Sequence, residues 1–262
     1  MDEQIKSSGM NASKNALDGL FNDGSISKEI YEKLLELHFA KNKCFDEFIQ
    51  YIKNSLMNGN YKKEKALVAF SGGVDSTASS IIGSAIFQIT SVSAHSPHII
   101  TDETKKNIIN LSEKLKITHE FLDVDLEDVL NDTISAKYHP CGRCHGAVEE
   151  VILNYAKKNN IKYIIYGDML SIGHLSIRKV DEKIVRVNIP SFLTMTKNES
   201  RAVLSEFNID IRQSYGCKLL KKAHKHEHMQ KYTIQRILRE VRAQVITAEE
   251  GFKNILDVVK IN

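Results

Sequence analysis

Residues 66–77 read ALVAFSGGVDST, and their types and order suit the binding of a phosphate chain. Gly72 and Gly73 permit backbone dihedrals that turn successive N–H groups toward one anion. A helix opening near Asp75 adds the positive partial charge of its N-terminus. The hydroxyls of Ser71, Ser76 and Thr77 and the carboxylate of Asp75 stand where phosphate oxygens and a magnesium ion would be met, with Phe70 leading into the turn. The Walker pattern, which ends in Gly-Lys followed by Ser or Thr, is absent, so an ordinary P-loop ATPase is excluded.

A second pattern is carried by three of the four cysteines, Cys141-Gly-Arg-Cys144 and the distant Cys217. In a chain without a secretory leader such a pair is a metal or redox site more often than a disulfide. The residues leave three alternatives open: a structural zinc with His139, His145 or one of His224, His226 and His228 as fourth ligand; a redox pair of Cys141 and Cys144; or an iron–sulfur cluster whose three cysteines leave one iron free. Cys44, beside Phe45 in an amphipathic stretch, is expected to be a buried packing residue. The three histidines, in a lysine-rich segment, are expected to face solvent or phosphate.

The elements that must position these groups follow from periodicity. The first two dozen residues are polar and expected to fray. Ser27 begins a helical pattern through Ile30, Leu34 and Leu37, continued by Phe45, Phe48, Ile49, Ile52 and Leu56, which predicts a helical hairpin closed by a turn over 57–61. Strands near 65–70, 89–94, 119–124 and 163–166 then alternate with helices near 75–87, 102–115 and 144–158, a pattern that gives a parallel α/β sheet with right-handed crossovers. Ligands bind such sheets beyond the carboxyl ends of the strands, which places the loop at Ser71, His95, and Gly167 with Asp168 on one edge. His95 could flank an adenine there, and Asp168 could bind magnesium or move a proton. A hairpin turning at Asp181-Glu182 follows, then a helix capped by Thr196 with Glu199 at the reciprocal position, and two helices separated near Thr247. The expected organisation is a helical N-terminal extension (1–62), an ATP-binding domain (63–215) and a basic helical C-terminal region that completes the site (216–262).

The SGGVDS loop resembles the SGGxDS signature of the PP-loop ATP pyrophosphatases, a superfamily with an adenine nucleotide alpha hydrolase-like, Rossmann-like fold. The resemblance implies that ATP and Mg²⁺ bind at residues 70–77 and that AMP is transferred to a substrate oxygen. With Cys141, Cys144 and Cys217 added, the chain resembles the iron–sulfur-dependent tRNA sulfurtransferases that make 2-thiocytidine or 2-thiouridine. Val185-Arg186-Val187-Asn188-Ile189-Pro190 and Lys197-Asn198-Glu199 look like that family's arginine-proline segment and K-x-E helix. By that resemblance the three cysteines hold a 4Fe–4S cluster and the substrate is a tRNA base thiolated with inorganic sulfide or a sulfur carrier as donor; the expected catalytic carboxylates are Asp75 of the loop and, from its place at the strand edge, Asp168, which is all this chain has of the family's Asp-rich motif. Val74 stands where the family carries lysine, a feature of other PP-loop sulfurtransferases, so a small molecule thiolated or amidated with zinc or persulfide chemistry is the alternative. A non-catalytic ATP- or RNA-binding module is the alternative of another class.

Bulk properties agree with a soluble globular protein. The 262 residues are 42% hydrophobic and 26% charged, with net charge +3, and no apolar run is long enough to cross a membrane. The start of the chain lacks a signal peptide, so a cytoplasmic location without membrane attachment is expected, with a homodimer as a possible assembly. From Arg212 to Arg242 there are nine Lys and Arg against two Glu, a concentration of positive charge that suits phosphate contacts but reads no sequence.

Overall fold

A computed structural model describes residues 1–57, 63–169, 175–211 and 215–259. The expected turn over 57–61 and the beginning of the basic stretch at Arg212 fall mostly outside the described residues. The architecture is a six-stranded sheet flanked by helices, with strand order β3-β2-β1-β4-β6-β5. The strands are β1 (Lys65–Ala69), β2 (Gln88–His95), β3 (Thr118–Asp123), β4 (Tyr163–Tyr166), β5 (Ile177–Lys179) and β6 (Val185–Asn188). All neighbours are parallel except β5, which pairs antiparallel with β6 as the edge hairpin.

The central position of β1 follows from its composition. Ala66, Leu67 and Val68 are all fully buried, as a strand covered on both faces requires. Ala66, Val68 and Phe70 join the core under α4 (Val74–Ile86), whereas Leu67 packs with Ile152 and Ala156 of α7 (Pro140–Lys158) on the other face. From β1 the chain proceeds through β2 and β3 in one direction and resumes at β4 on the opposite side. The carboxyl ends of β1 and β4 therefore flank a topological switch point, where α/β sheets bind ligands.

The N-terminus departs from expectation. Residues 3–22 are not frayed but form α1 (Glu3–Asn22), whose Asp2 cap accepts from Gln4 N. Met10, Leu17 and Leu20 recur on one face and are buried. The stripe is sparse within a polar composition, and tertiary packing rather than propensity stabilises it. Then α2 (Lys28–Lys43) and α3 (Phe45–Met57) form the expected hairpin. Leu17, Leu34, Leu37, Phe48 and Ile52 enter the same core as Val68 and Ile82.

Two further differences bear on the site. α7 starts at Pro140 rather than after Cys144, because proline is well suited to the first helical turn. Both cysteines of the pair therefore lie at a helix start. An unanticipated α6 (Glu127–Ile134) follows β3. The chain then runs through α8 (Ile189–Phe192), α9 (Lys197–Glu206), α10 (Lys218–Ala223), α11 (Glu227–Arg242) and α12 (Ala248–Val259), with α5 (Asp102–Lys114) earlier between β2 and β3.

Candidate active site

The loop after β1 is fixed from below and open above. Phe70 N donates to Val92 O at 2.8 Å, and Ser93 Oγ donates to Phe70 O. Gly72 has φ +69°, and a Cβ there would lie 2.8 Å from Ile108 Cγ1, so both dihedral and space require glycine. Gly73 caps α4 without a side-chain hydrogen bond, leaving first-turn N–H groups available to an anion. The hydroxyls of Ser71 and Ser76 are 3.0 Å apart, and Ser71 N donates to Ser76 Oγ at 3.2 Å.

Asp75 is divided between two environments. Its Oδ2 pairs with Lys197 Nζ at 2.5 Å, while Oδ1 is buried without a hydrogen-bond partner. Thr77 Oγ1 is likewise buried and unpartnered. An unpaired carboxylate oxygen is costly to bury and fits a cation ligand. The loop thus suits a magnesium-bound phosphate chain on its own geometry.

Gly167 and Asp168 meet this loop at the end of β4. A Cβ on Gly167 would lie 2.8 Å from Ser76 N and 2.9 Å from the Asp75 carbonyl carbon, so β4 approaches the start of α4 as closely as backbone permits. The Asp168 carboxylate does not stand free: Arg186 Nη2 binds it, and Ser191 Oγ donates to its main-chain oxygen. Arg186 is buried, also binds Glu149 through Nη1, and lies 3.9 Å from the centroid of the Tyr166 ring. Any role of Asp168 toward magnesium or a proton would share the carboxylate with that guanidinium. His95 ends β2 on the same edge, with Nδ1 3.0 Å from Asp123 Oδ1 and its ring edge-on to Phe121.

The cysteines converge on this edge from the other face of the sheet. Cys141 and Cys144 lie in the first turn of α7, and Cys217 caps α10, its sulfur accepting from Leu220 N at 3.5 Å. Cys144 packs with Ala94 of β2, Val124 and Leu219. The three sulfurs lie within electrostatic reach of one another. Burial pushes Cys141 and Cys144 up to about 11, the neighbouring Cys217 adding to both and Arg236 opposing at Cys141. Among the described residues, however, no group of three or more His, Cys, Asp or Glu stands in an arrangement that could hold a metal ion. The donor types suit a thiolate-held centre, but their present arrangement is not a formed ligand set.

Two sequence expectations fail. His224 is buried, not solvent-facing: Nε2 lies 3.0 Å from Thr233 Oγ1, which also meets His139 Nε2 at 3.2 Å. The lysine-rich context misled because the histidine falls on the inner face of the α10–α11 corner. His226 and His228 do remain at the surface. Cys44 is exposed instead of packed, because it caps α2 at the bend into α3. Sequence reasoning also left Lys197, Arg186 and Glu149 out of the site. Lys197 and Arg186 lay in recognised segments, but nothing local showed which carboxylates they meet.

Fold and site together define an α/β protein with a glycine-rich loop at its switch point and a thiol neighbourhood on the same edge. No family model matches the sequence. The chain is 49% identical over 198 residues to MJ1638, an uncharacterized protein of Methanocaldococcus jannaschii, a match covering 76% of each, and it belongs to that protein's family. MJ1599, an uncharacterized protein of the same organism, is 28% identical over 138 residues, half of each chain. Among solved structures, NMN synthetase from Francisella tularensis aligns over 84% of this chain and 93% of its own, with TM-score 0.47 and 12% identity. No helix among the described residues is long and apolar enough to cross a membrane.

Proposed function

We propose that this protein is a PP-loop ATP pyrophosphatase that adenylates a nucleobase carbonyl, in tRNA, and exchanges its oxygen for sulfur. One observation carries the proposal: in the SGGVDS cradle, Asp75 keeps one oxygen on Lys197 and leaves the other buried and unpartnered. In this scheme the N–H groups around Gly72, Gly73 and the first turn of α4 receive the pyrophosphate of ATP. Magnesium at Asp75 would neutralise charge between the phosphates. The carbonyl oxygen attacks the α-phosphorus, pyrophosphate leaves, and the same donors stabilise the departing charge. Attack by sulfur on the adenylated carbon then expels AMP.

The thiol neighbourhood supports the sulfur half. Cys141, Cys144 and Cys217 would hold an iron–sulfur cluster, which when bound offers an open iron for sulfide. Because Cys141 and Cys144 are held as thiols, they must release protons on metallation. Nucleic acid as substrate is supported by two exposed tyrosines. Tyr138 lies beside Lys137 and Arg143, which both also pair with Asp132, and Tyr232 lies beside Lys231 with its ring 5.5 Å from that of His139. Exposed rings flanked by cations stack bases beside phosphate contacts.

The direct test is incubation of anaerobically purified protein with ATP, magnesium, sulfide and unmodified tRNA. AMP and pyrophosphate in equal amounts, with a thionucleoside in digested tRNA, is the expected result. Cleavage to ADP, or no cleavage, would overturn the adenylation. An unchanged thionucleoside profile in cells lacking the protein would move the substrate to a small molecule.

A further inference from the structure

The N-terminal helices contain a buried charge that the scheme above does not use. Lys41 in α2 is 1% exposed, and its Nζ lies 2.7 Å from Glu199 Oε1 of α9. An isolated buried ammonium is unfavourable, and a buried ion pair is a weak source of stability but a strong constraint on position. Both partners show that tension. Burial pulls Lys41 below the ordinary lysine range against the pull of Glu199, whereas for Glu199 burial is outweighed by Lys41 and the Thr196 hydrogen bonds, which hold it below the usual carboxylate range.

Glu199 is used on both oxygens. While Oε1 meets Lys41, Oε2 accepts from Thr196 N at 2.8 Å, and Glu199 N donates to Thr196 Oγ1, completing the capping box that starts α9. The next residue after Thr196 is Lys197, the partner of Asp75. The same turn is approached from α1, since a Cβ on Gly9 would lie 2.8 Å from Thr194 Oγ1. Thus the carboxylate that Lys41 holds is the one that fixes the backbone from which Lys197 reaches the phosphate loop.

We propose that Lys41 is a positioning residue for the ATP site: it holds Glu199, and Glu199, through the α9 cap, sets Lys197 against Asp75. The N-terminal helices are by this account part of the nucleotide site and not an appendage. The proposal rests on the loop at 71–77 being the magnesium–ATP site.

The test measures affinity of the full-length protein for a non-hydrolysable α,β-methylene ATP analogue by calorimetry, with and without magnesium, in Lys41→Met and Glu199→Gln. Each variant is first shown to melt cooperatively, and Glu199→Gln carries the test if Lys41→Met does not fold. The expected result is about a tenfold loss of affinity with magnesium and unchanged affinity without it, as loss of an outer-shell partner produces. A folded variant whose magnesium-dependent affinity matches wild type overturns the proposal. So does equal loss in both conditions, which a merely structural role would give. Formation of AMP by wild type is assayed separately: the magnesium-specific loss without AMP from wild type sinks the adenylation and leaves the positioning role standing, and AMP formed by Lys41→Met at the wild-type rate does the reverse.

Discussion

Gly167 lies against Ser76 so closely that a single added carbon would come within 2.8 Å of the Ser76 main-chain nitrogen. The end of β4 and the first turn of α4 therefore form one wall beside the 71–77 loop, and neither can shift without the other. Gly167→Ala should displace the first turn of α4. The expected effects are about 1–3 kcal/mol of destabilisation from overpacking in urea unfolding, and at least about a tenfold loss in nucleotide affinity from the misplaced donors. Wild-type affinity in this variant would show that the turn relaxes without consequence.

Asp75→Asn keeps the shape of the side chain and removes the charge that Lys197 meets at 2.5 Å. Because the side chain is about one-fifth exposed at 21%, the fold should be retained. Magnesium-dependent ATP binding should fall by about 10–100-fold, the range for disturbed metal ligation. The cysteines should be untouched, so metal content as isolated should equal wild type while AMP formation is lost.

The thiols differ in access. Cys217 is exposed, whereas burial raises Cys141 and Cys144 to about 11. Since the thiolate is the reactive form, iodoacetamide applied to metal-free protein at neutral pH should label Cys217, like the exposed Cys44, ahead of Cys141 and Cys144. Labelling of Cys141 and Cys144 should rise only as the pH approaches 11, read by peptide mass spectrometry. Equal labelling of all three at pH 7 would contradict the burial of the pair.

His119 on β3 sets a stability limit in acid. Burial lowers it from 6.5 to about 4, Nδ1 lies 2.8 Å from Ser91 Oγ, and Nε2 is buried without a partner. The folded protein takes up this proton less readily than the unfolded chain, so the stabilisation is fully present above pH 6.5 and is lost as pH falls toward 4. Allowing for partial exposure, the loss should be about 1–3 kcal/mol. Melting of His119→Asn between pH 8 and 4.5 should show a flatter decline than wild type. Identical slopes would place the acid sensitivity elsewhere.

Much of this was legible before any coordinates. The alternation of strands β1 through β4 with helices announced a parallel sheet, although α6 between β3 and α7 was missed, and Gly72-Gly73 announced the tight turn after β1, because turn chemistry and periodicity are local properties. The Thr196–Glu199 cap was equally readable, spanning only one helical turn. The ordered α1 was not legible: its buried Met10, Leu17 and Leu20 are too few to outweigh a polar composition until the sheet supplies a surface for them. His224 failed for the same reason, since a residue's neighbours in sequence do not say which way a helix corner turns it.

The Gly-Gly turn after β1, the order of most elements and the presence of the cysteine pair with a distant third were readable along the chain. Which charges meet is set by the packing of the folded chain. Asp75 and Lys197 are 122 residues apart, Lys41 and Glu199 are 158 apart, and Arg186 reaches both Asp168 and Glu149. An ion pair across such distances leaves no periodic trace in the chain. Its partners are brought together by burial of the apolar faces on either side, and from that packing Asp75 acquires one oxygen held by lysine and one buried without a partner among the described residues.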